Sequence, residues 1–311
     1  NSGWNLNFGQ RAFTYQSAGT NRPADTFKAV CTANLSDPTI ADGSTAMDVA
    51  LYTGTGNSGQ TVSGLNFSPD LVWFKSRSAA QNHAVFDTVR GVEKRLHPNL
   101  TQAQDDSSTG LTAFNSDGFT FGSNNVNGAS STTYVAWAWD GGTSTVSNTD
   151  GSITSNVRAN TSAGFSIVTY AGTGTAATIG HGLGAAPGLI ILKDRDSAYN
   201  WQVYHSIFAG TSNSIVLNST GAVDTGSGGV WNSTAPTSTV FSIGTSVGVN
   251  TSGNDYVAYC FAPVEGYSAF GSYTGAANLF IYTGFKPQWL MLKSYAGDGF
   301  NWVIIDDERG A

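Results

Sequence analysis

Apolar residues fall into short runs along this chain, and one arrangement of runs occurs three times. Each copy has a Tyr-x-Gly opening, a glycine–proline loop and an apolar run that ends at lysine: LVWFK, LIILK and WLMLK. A polar turn and a second apolar run follow: HAVFD, WQVYH and WVIID. Short runs rich in Val, Ile and Trp indicate strands that are buried on both faces. Each copy therefore predicts a strand, a loop and a hairpin.

The copies keep their anchor residues at matching positions, with a shorter loop in the third copy. These anchors are Tyr52, Pro69 and Lys75, then Tyr170, Pro187 and Lys193, and then Tyr273, Pro287 and Lys293. Such internal repeats determine the fold, because each copy encodes the same structural unit. We expect the three prolines to occupy equivalent sites, and likewise the three lysines.

The first two copies also share a second half. Phe119–Gly122 matches Phe241–Gly244, and Tyr134–Trp139 matches Tyr256–Phe261. The full repeat is therefore about a hundred residues long, which is the size of an independent domain. The third copy reaches Ala311 before any such second half. We expect either that the chain is truncated or that its ordered part ends there.

The composition indicates an all-β chain of tandem β-sandwich-like repeat domains. Hydrophobic residues make up 40% and charged residues only 11%, glycine occurs 38 times, and no long stretch has a helical apolar period. The predicted division is a closing-strand segment and connector (1–46), repeat one (47–142), a Ser/Thr/Asn/Gly linker (143–163), repeat two (164–269) and an incomplete repeat three (270–311).

Charge and hydropathy exclude two classes of partner. The net charge is −7 and the pI about 4.9, whereas a nucleic-acid surface needs a basic footprint. No apolar run approaches the roughly 18 residues of a membrane span, so we expect no membrane insertion. Cys31 and Cys260 lie in different segments, and Cys260 is interpreted as a buried apolar residue rather than half of a disulfide.

The chain resembles a group of structural proteins of tailed phages. NFGQRAF near the start is similar to the closing strand of SPRY-type sandwich domains, and GLNFSPDLVWFKSRS and GLGAAPGLIILKDRDS follow it. Marine and cyanobacterial phages carry similar chains, usually called tail-fibre or structural proteins. The resemblance implies a virion location, contacts with other virion proteins and a structural role. It implies no catalytic residues, and we expect no cofactor.

An enzyme is the main alternative, because tail spikes can degrade surface polysaccharide. Such a depolymerase needs paired carboxylates. The candidates are Asp87, Asp194, Asp196 and Asp306–Glu308. Repeat one has Ser76 and Ser78 in place of Asp194 and Asp196, and repeat two has His205 in place of Asp87, so the copies share no common reaction. The four histidines, His83, His97, His181 and His205, occupy non-equivalent repeat positions. Asp105–Asp106 lacks the further ligands that calcium needs, so we expect no metal site. We expect a protein that is not an enzyme.

Two features remain candidates for binding. The repeated lysines either contact an anionic glycan or neighbouring subunit, or end each strand with their stems on apolar surface. The recurring tryptophans fill cores or stack on sugars. The long polar excursions, Arg90–Gly110 and Gly210–Thr237, share almost no sequence, and loops carry recognition. We predict glycan contact at Trp231 and Asn232; the competing interpretation is packing against a neighbouring subunit.

These observations predict a virion adhesion protein, namely a phage tail-fibre or tail-spike component that contacts host surface glycan. A head fibre or capsid-decorating protein is a second alternative, beside the depolymerase. We also expect a homo-oligomer in the form of a trimer, because closed cyclic symmetry builds a fibre axis from one chain.

Overall fold

The computed structural model describes residues 38–226, 228–297 and 299–310. Its regular structure is almost entirely antiparallel β-sheet, which confirms the all-β prediction. The two α-helices among these residues have four residues each. The predicted SPRY-like strand at NFGQRAF and most of the connector lie outside the described residues.

Repeat one is a sandwich of two sheets. Its strands are β1 (Met47–Thr53), β2 (Gln60–Ser63), β3 (Leu71–Ser76), β4 (Ala84–Asp87), β5 (Lys94–Arg95), β6 (Asp105–Asp106), β7 (Leu111–Asn115), β8 (Gly118–Phe121) and β9 (Thr133–Trp139). One sheet has the order β1-β9-β3-β4 and the other β2-β8-β7, while β5 and β6 form a separate hairpin. Residues alternate between the faces of each strand, so each sheet contributes one face to the core between them.

Repeat two has the same plan with a wider main sheet. Its elements are β10 (Thr145–Asn148), β11 (Ser155–Asn160), β12 (Phe165–Ala171), β13 (Ala177–Gly180), β14 (Leu189–Asp194), β15 (Gln202–His205), β16 (Ile215–Val216), α1 (Gly228–Trp231), β17 (Val240–Ile243), α2 (Val247–Asn250) and β18 (Asp255–Phe261). The main sheet has the order β10-β11-β12-β18-β14-β15-β16, and β13 pairs with β17.

The segment 143–163, predicted as a linker, contains the two strands β10 and β11, which together account for about half of it. These strands extend the main sheet of repeat two beyond β12. Val157, which is 1% exposed, anchors β11 in the core of repeat two. Ser, Thr and Asn do not distinguish a linker from an outer strand, because their polar side chains suit the solvent face of such a strand as well as a loop.

Repeats one and two match in register as well as in strand order. Tyr52 lies opposite Tyr134 with ring centroids 5.2 Å apart, and Tyr170 lies opposite Tyr256 at 5.1 Å. The hydroxyls of Tyr52 and Tyr170 each donate to a backbone carbonyl at 2.7 Å, in corresponding loops. The strand order β12-β18-β14-β15 thus reproduces β1-β9-β3-β4.

Repeat three contributes a hairpin of β19 (Trp289–Leu292) and β20 (Val303–Asp306). Its register matches that of β3 with β4. Tyr273 was expected to match Tyr52, but it is 48% exposed and outside any strand. Its counterparts pair with β9 and β18, and the described part of repeat three has no such strand. Pro287 is exposed, whereas Pro69 and Pro187 are buried, so the three prolines do not share one environment.

Three apolar clusters hold the molecule together. Two lie inside the sandwiches of repeats one and two. The third, here called the shared core, joins the outer faces of both main sheets, with Trp73 and Trp137 from repeat one and Ile191 and Val257 from repeat two. The hairpin of repeat three packs its inner face against this cluster. The three repeats therefore surround one common core.

Candidate functional site

Two of the carboxylates considered for catalysis hold the repeats together. Asp87 is fully buried and pairs with Arg90, and the Tyr259 hydroxyl of repeat two donates to Asp87 at 2.8 Å. The same D-x-x-R arrangement recurs at Asp306 and Arg309 of repeat three.

The second copy of this motif faces repeat one. The indole of Trp137, which is the counterpart of Tyr259, donates to Asp306 at 2.9 Å. An aromatic residue of one repeat therefore contacts the acid of another in the same way at both junctions. These acids serve as hydrogen-bond acceptors between repeats.

In a second set of contacts, an aromatic residue of one repeat again donates to an acceptor of another repeat. The donor and acceptor repeats follow one another in the same cyclic order around the shared core as in the first set. The Trp201 indole donates to the His97 carbonyl of repeat one at 2.9 Å, and the Trp302 indole donates to the Val216 carbonyl of repeat two at 3.0 Å. In repeat one, His83 occupies the position that corresponds to Trp201 and Trp302. It accepts instead from the Trp73 indole of its own repeat, at 2.9 Å.

Pairs of asparagines fix the turns beside these aromatic residues. Asn99 donates to Asn82 at 2.8 Å and accepts from the backbone of His83. Asn218 and Asn200 repeat this arrangement at 2.8 Å, and Asn218 accepts from the backbone of Trp201. Each pair holds two chain segments at a defined separation.

A cleft of about 390 Å³ opens where the three repeats meet. Its aromatic lining consists of Trp73, His83 and Trp137 from repeat one and Trp302 from repeat three. Leu217, Met291 and Ile304 add apolar surface. Trp137 is 1% exposed and forms part of the shared core, so the cleft ends on a packed base.

The polar lining of the cleft consists of amides, hydroxyls and cations. Asn99, Asn218 and Asn301 supply one side-chain amide from each repeat, and Ser219 and Thr220 supply hydroxyls. The first two amides belong to the asparagine pairs and are therefore held in place before any ligand arrives. Pre-ordered groups of this kind lower the entropic cost of binding.

The cleft is cationic, although the whole chain has a net charge of −7. Lys75 and Arg309 line it, and none of its described lining residues is acidic. Arg309 pairs with Asp306, whereas the Lys75 ammonium donates to the Ser76 carbonyl at 2.7 Å. Burial lowers the pKa of Lys75.

Burial also lowers the pKa of His83 to about 4, and the charges of Lys75, Arg309 and His97 act in the same direction. The hydrogen bond from Trp73 needs an unprotonated Nδ1 on this ring, which agrees with the lowered pKa. His83 is therefore neutral at physiological pH, and Lys75 supplies the charge on its side of the cleft.

The repeated lysines end equivalent strands, but their surroundings differ. Lys193 is fully buried and donates to the carbonyls of Asp194 and Ser197 at 2.6 and 2.9 Å. Lys293 donates to the Thr220 carbonyl of repeat two at 3.0 Å. Of the three lysines, Lys75 alone lines the cleft.

The excursion Gly210–Thr237 does not present its tryptophan to solvent, in contrast to the prediction of a glycan contact there. Trp231 is 2% exposed and packs edge-to-face against Tyr204 in the core of repeat two, with centroids 5.8 Å apart. The expectation of an exposed ring at Trp231 is therefore wrong. The four-residue helix α1 turns Val230 and Trp231 inward. Asn232 follows on the surface, with a positive φ of 51°.

Both excursions contact the next repeat of the same chain. Gln104 in the first bonds to the Arg195 backbone and side chain of repeat two. Val223 in the second donates to the Tyr295 carbonyl of repeat three. Each excursion therefore packs against a neighbouring repeat of its own chain, and packing against a neighbouring subunit stays a prediction.

The remaining candidates have structural roles. Asp194 is buried and caps a turn through the backbones of Asp196 and Ser197. Asp105 and Asp106 pair with Arg95 and Lys94 across the β5–β6 hairpin.

Cys260 is a buried, free thiol. The described residues contain no group of three or more His, Cys, Asp or Glu side chains that could hold a metal. They also contain no helix that is both long and apolar enough to span a bilayer.

One sequence signal could have pointed to the cleft. An asparagine precedes the same aromatic position in every copy: Asn82 before His83, Asn200 before Trp201 and Asn301 before Trp302. The partners Asn99 and Asn218 follow β5 and β16 in the excursions. Their pairing depends on the fold and is not visible in the sequence.

A family model described as a domain of unknown function (DUF7483) matches residues 42–311. The chain belongs to this family. The DUF7483 match includes the described parts of all three repeats and thus every residue that lines the cleft. Comparison with curated proteins found no match, and neither did comparison with solved structures.

Proposed function

We propose that this protein is a structural and adhesive component of a phage virion, a tail-fibre or tail-spike part, whose cleft binds a host surface saccharide. The cleft at the junction of the three repeats carries the proposal. The half-buried ring of Trp302 offers a face on which a sugar can stack, and amides and hydroxyls bond to sugar hydroxyls. The ammonium of Lys75 further favours a saccharide that bears carboxylate or phosphate groups.

The packing of the repeats supports a structural role. Buried polar contacts join repeat one to repeat two and repeat one to repeat three, around a core common to all. Pulling one repeat away would expose apolar surface and break the hydrogen bonds to a buried carboxylate, and the apolar surface alone costs free energy when water reaches it. Sandwiches joined in this way suit an appendage that transmits force. The trimer remains a prediction that light scattering of the purified protein would test.

The experiment is a calorimetric titration with purified host surface polysaccharide fragments, in acidic and neutral forms. We expect the acidic fragments to bind more tightly and the difference to shrink as salt is added, because salt screens the charge of Lys75. Lys75→Met should weaken binding of the acidic fragments about tenfold, which corresponds to about 1.4 kcal/mol.

Lys286→Met is the matched control, because Lys286 is an exposed lysine of repeat three outside the cleft. Equal effects of the two variants, or no binding by a folded protein, would contradict the proposal. The same samples should be assayed for new reducing ends. Their release would favour the depolymerase over an adhesion protein.

A further inference from the structure

The hairpin of repeat three has an unpaired inner edge. In repeats one and two, β3 and β14 lie between two neighbours: β9 and β4, and β18 and β15. Among the described residues, β19 pairs with β20 alone. All but one residue of β3 and every residue of β14 is buried, whereas every residue of β19 is half-buried. β19 has the apolar sequence of a central strand in the position of an edge strand.

The outer face of the same hairpin is uncovered. Val303 and Ile305 of β20 are 48% and 50% exposed. Their counterparts in β4, Ala84 and Phe86, are fully buried under the second sheet of repeat one. An exposed apolar face beside an unpaired edge favours the addition of another strand.

The two complete repeats show which kind of strand fits. β9 and β18 read TYVAWAW and DYVAYCF, apolar on both faces with an aromatic ring at the fifth position. That ring bonds to another repeat: Tyr259 to Asp87, and Trp137 to Asp306. The corresponding position in repeat two is His205, whose Nδ1 accepts from the Ile207 backbone, so its Nε2–H is the group left for a third bond of this series, as a donor.

We propose that the free edge of β19 accepts an antiparallel polypeptide strand with the sequence pattern of β9 and β18. Backbone hydrogen bonds to the strand edge supply affinity, and alternating side chains supply specificity. The register follows from the complete repeats, in which Cys260 lies opposite Ile190 and Ala138 opposite Val72. In repeat three the equivalent residue is Leu290.

Binding should also organise the segment before β19. β1 and β12 pair with the far edges of β9 and β18, which leaves their counterpart around Tyr273 without a partner among the described residues. This explains why the segment is not a strand although it carries the repeat sequence. An added strand would offer it an edge, so residues 272–282 should gain hydrogen-bonded structure.

The test is a disulfide trap on the whole chain. In a Cys31→Ser, Cys260→Ala background, Leu290→Cys is mixed with a synthetic peptide of residues 253–263, GNDYVAYCFAP, under mild oxidation. Cys260→Ala reproduces the residue that repeat one has at this position, Ala138. Directly opposed residues on antiparallel strands lie within disulfide range, whereas diagonal neighbours are about 7 to 8 Å apart. Leu290→Cys should therefore form the mixed disulfide at least tenfold faster than Leu292→Cys.

Leu292→Cys controls for thiol exposure, because it lies two residues along the same strand. A peptide of the same composition in scrambled order controls for non-specific apolar binding. Equal trapping at both positions, equal trapping by the scrambled peptide, or no trapping by the folded variants would overturn the proposal. A disulfide between two protein chains in place of the peptide adduct would also overturn it, because in this background such a bond can only join position 290 of two copies and so pairs β19 with β19.

A second readout uses the unmodified protein. With a peptide in which cysteine is replaced by alanine, amide hydrogen exchange should slow in residues 272–282 and in β19. Exchange around the cleft residues Asn99 and Asn218 should not change. The two proposals are tested independently, because one concerns the cleft and the other the edge of β19. If the protein binds no saccharide, the strand proposal is unaffected, and if the strand trap fails, the adhesion proposal is unaffected.

Discussion

The junction between repeats one and two and the junction between repeats one and three use the same D-x-x-R motif in different surroundings. Asp87 and Arg90 have fully buried side chains. In the second pair Asp306 is buried, but the side chain of Arg309 is 26% exposed. The comparison shows that the motif determines the contact, and that the groups packed around it determine how strongly the contact is shielded from water.

The guanidinium groups differ in how well they are satisfied. Arg90 donates to the Val85 and Lys94 carbonyls, to Gln104 and to the Tyr259 hydroxyl, as well as to Asp87. Arg309 donates to Asp306 and the Ile304 carbonyl, and its charge lies 5.2 Å from the centre of the Trp137 ring. A buried charge is tolerated only when such partners replace its hydration.

The largest effect is therefore expected at the first junction. Arg90→Met should lower the free energy of unfolding by about 3 to 5 kcal/mol, because it leaves the buried carboxylate of Asp87 without its counter-charge. The measurement is the urea midpoint with its slope. A loss below about 1 kcal/mol would show that water reaches this carboxylate.

The double variant Asp87→Asn, Arg90→Met sharpens this prediction. Asn keeps an oxygen that can accept from the Val89 and Arg90 backbones, as Asp87 does, and removes the unpaired charge. It should recover more than half of the lost stability. No recovery would mean that the lost guanidinium bonds, and not the stranded charge, account for the loss.

Arg309→Met should have a smaller effect at the second junction, about 1 to 2 kcal/mol, because solvent partly screens this pair. Urea unfolding of Arg309→Met and Arg90→Met under the same conditions measures the difference. An effect as large as that of Arg90→Met would show that partial exposure does not weaken the pair.

Much of the fold could be predicted from the sequence, because the same pattern of apolar runs and turn residues occurs in each repeat. The strands before Lys75, Lys193 and Lys293 occupy equivalent positions, since apolar runs bounded by Gly and Pro leave little choice. The shared core was not predicted. Sequence shows that strands such as β3 and β14 are apolar on both faces, but not that their outer faces meet each other.

The candidate site was harder to predict for the same reason. Trp231 stands in a polar excursion, and composition alone favoured exposure, whereas helix α1 turns the ring into the core. Conversely, Lys75 and Asn301 are far apart in the chain, and only the packing of repeats one and three brings them to one cleft.

The indole contacts allow a third comparison. Trp201→Phe should cost about 2 kcal/mol, since it leaves the His97 carbonyl without this donor in a site where Trp201 is 1% exposed. Trp302→Phe removes the equivalent bond to Val216 from a half-buried site, so we expect about half that cost. Thermal unfolding of both variants measures this difference. Equal costs would contradict a role for burial.

The smallest effect concerns the equivalent lysines and is best measured as a dependence on pH. Burial lowers the pKa of Lys193 to about 8, an effect that the charge of Asp194 opposes. The unfolded chain, with a lysine pKa near 10.4, therefore binds more protons than the folded chain above pH 8. The contribution of Lys193 to the free energy of unfolding should rise with pH, by about 1 kcal/mol between pH 8 and 9.

Cys260 acts in the opposite direction over the same range, because burial raises the pKa of its thiol. The prediction therefore concerns the difference between the wild-type protein and Lys193→Met, in which the cysteine contribution cancels. The wild type should gain stability relative to this variant as the pH rises from 8 to 9, measured by urea unfolding at each pH. Lys75→Met should change the slope less, because Lys75 is only half-buried. Parallel curves for the wild type and Lys193→Met would show that the ammonium of Lys193 is as well solvated in the folded chain as in the unfolded one.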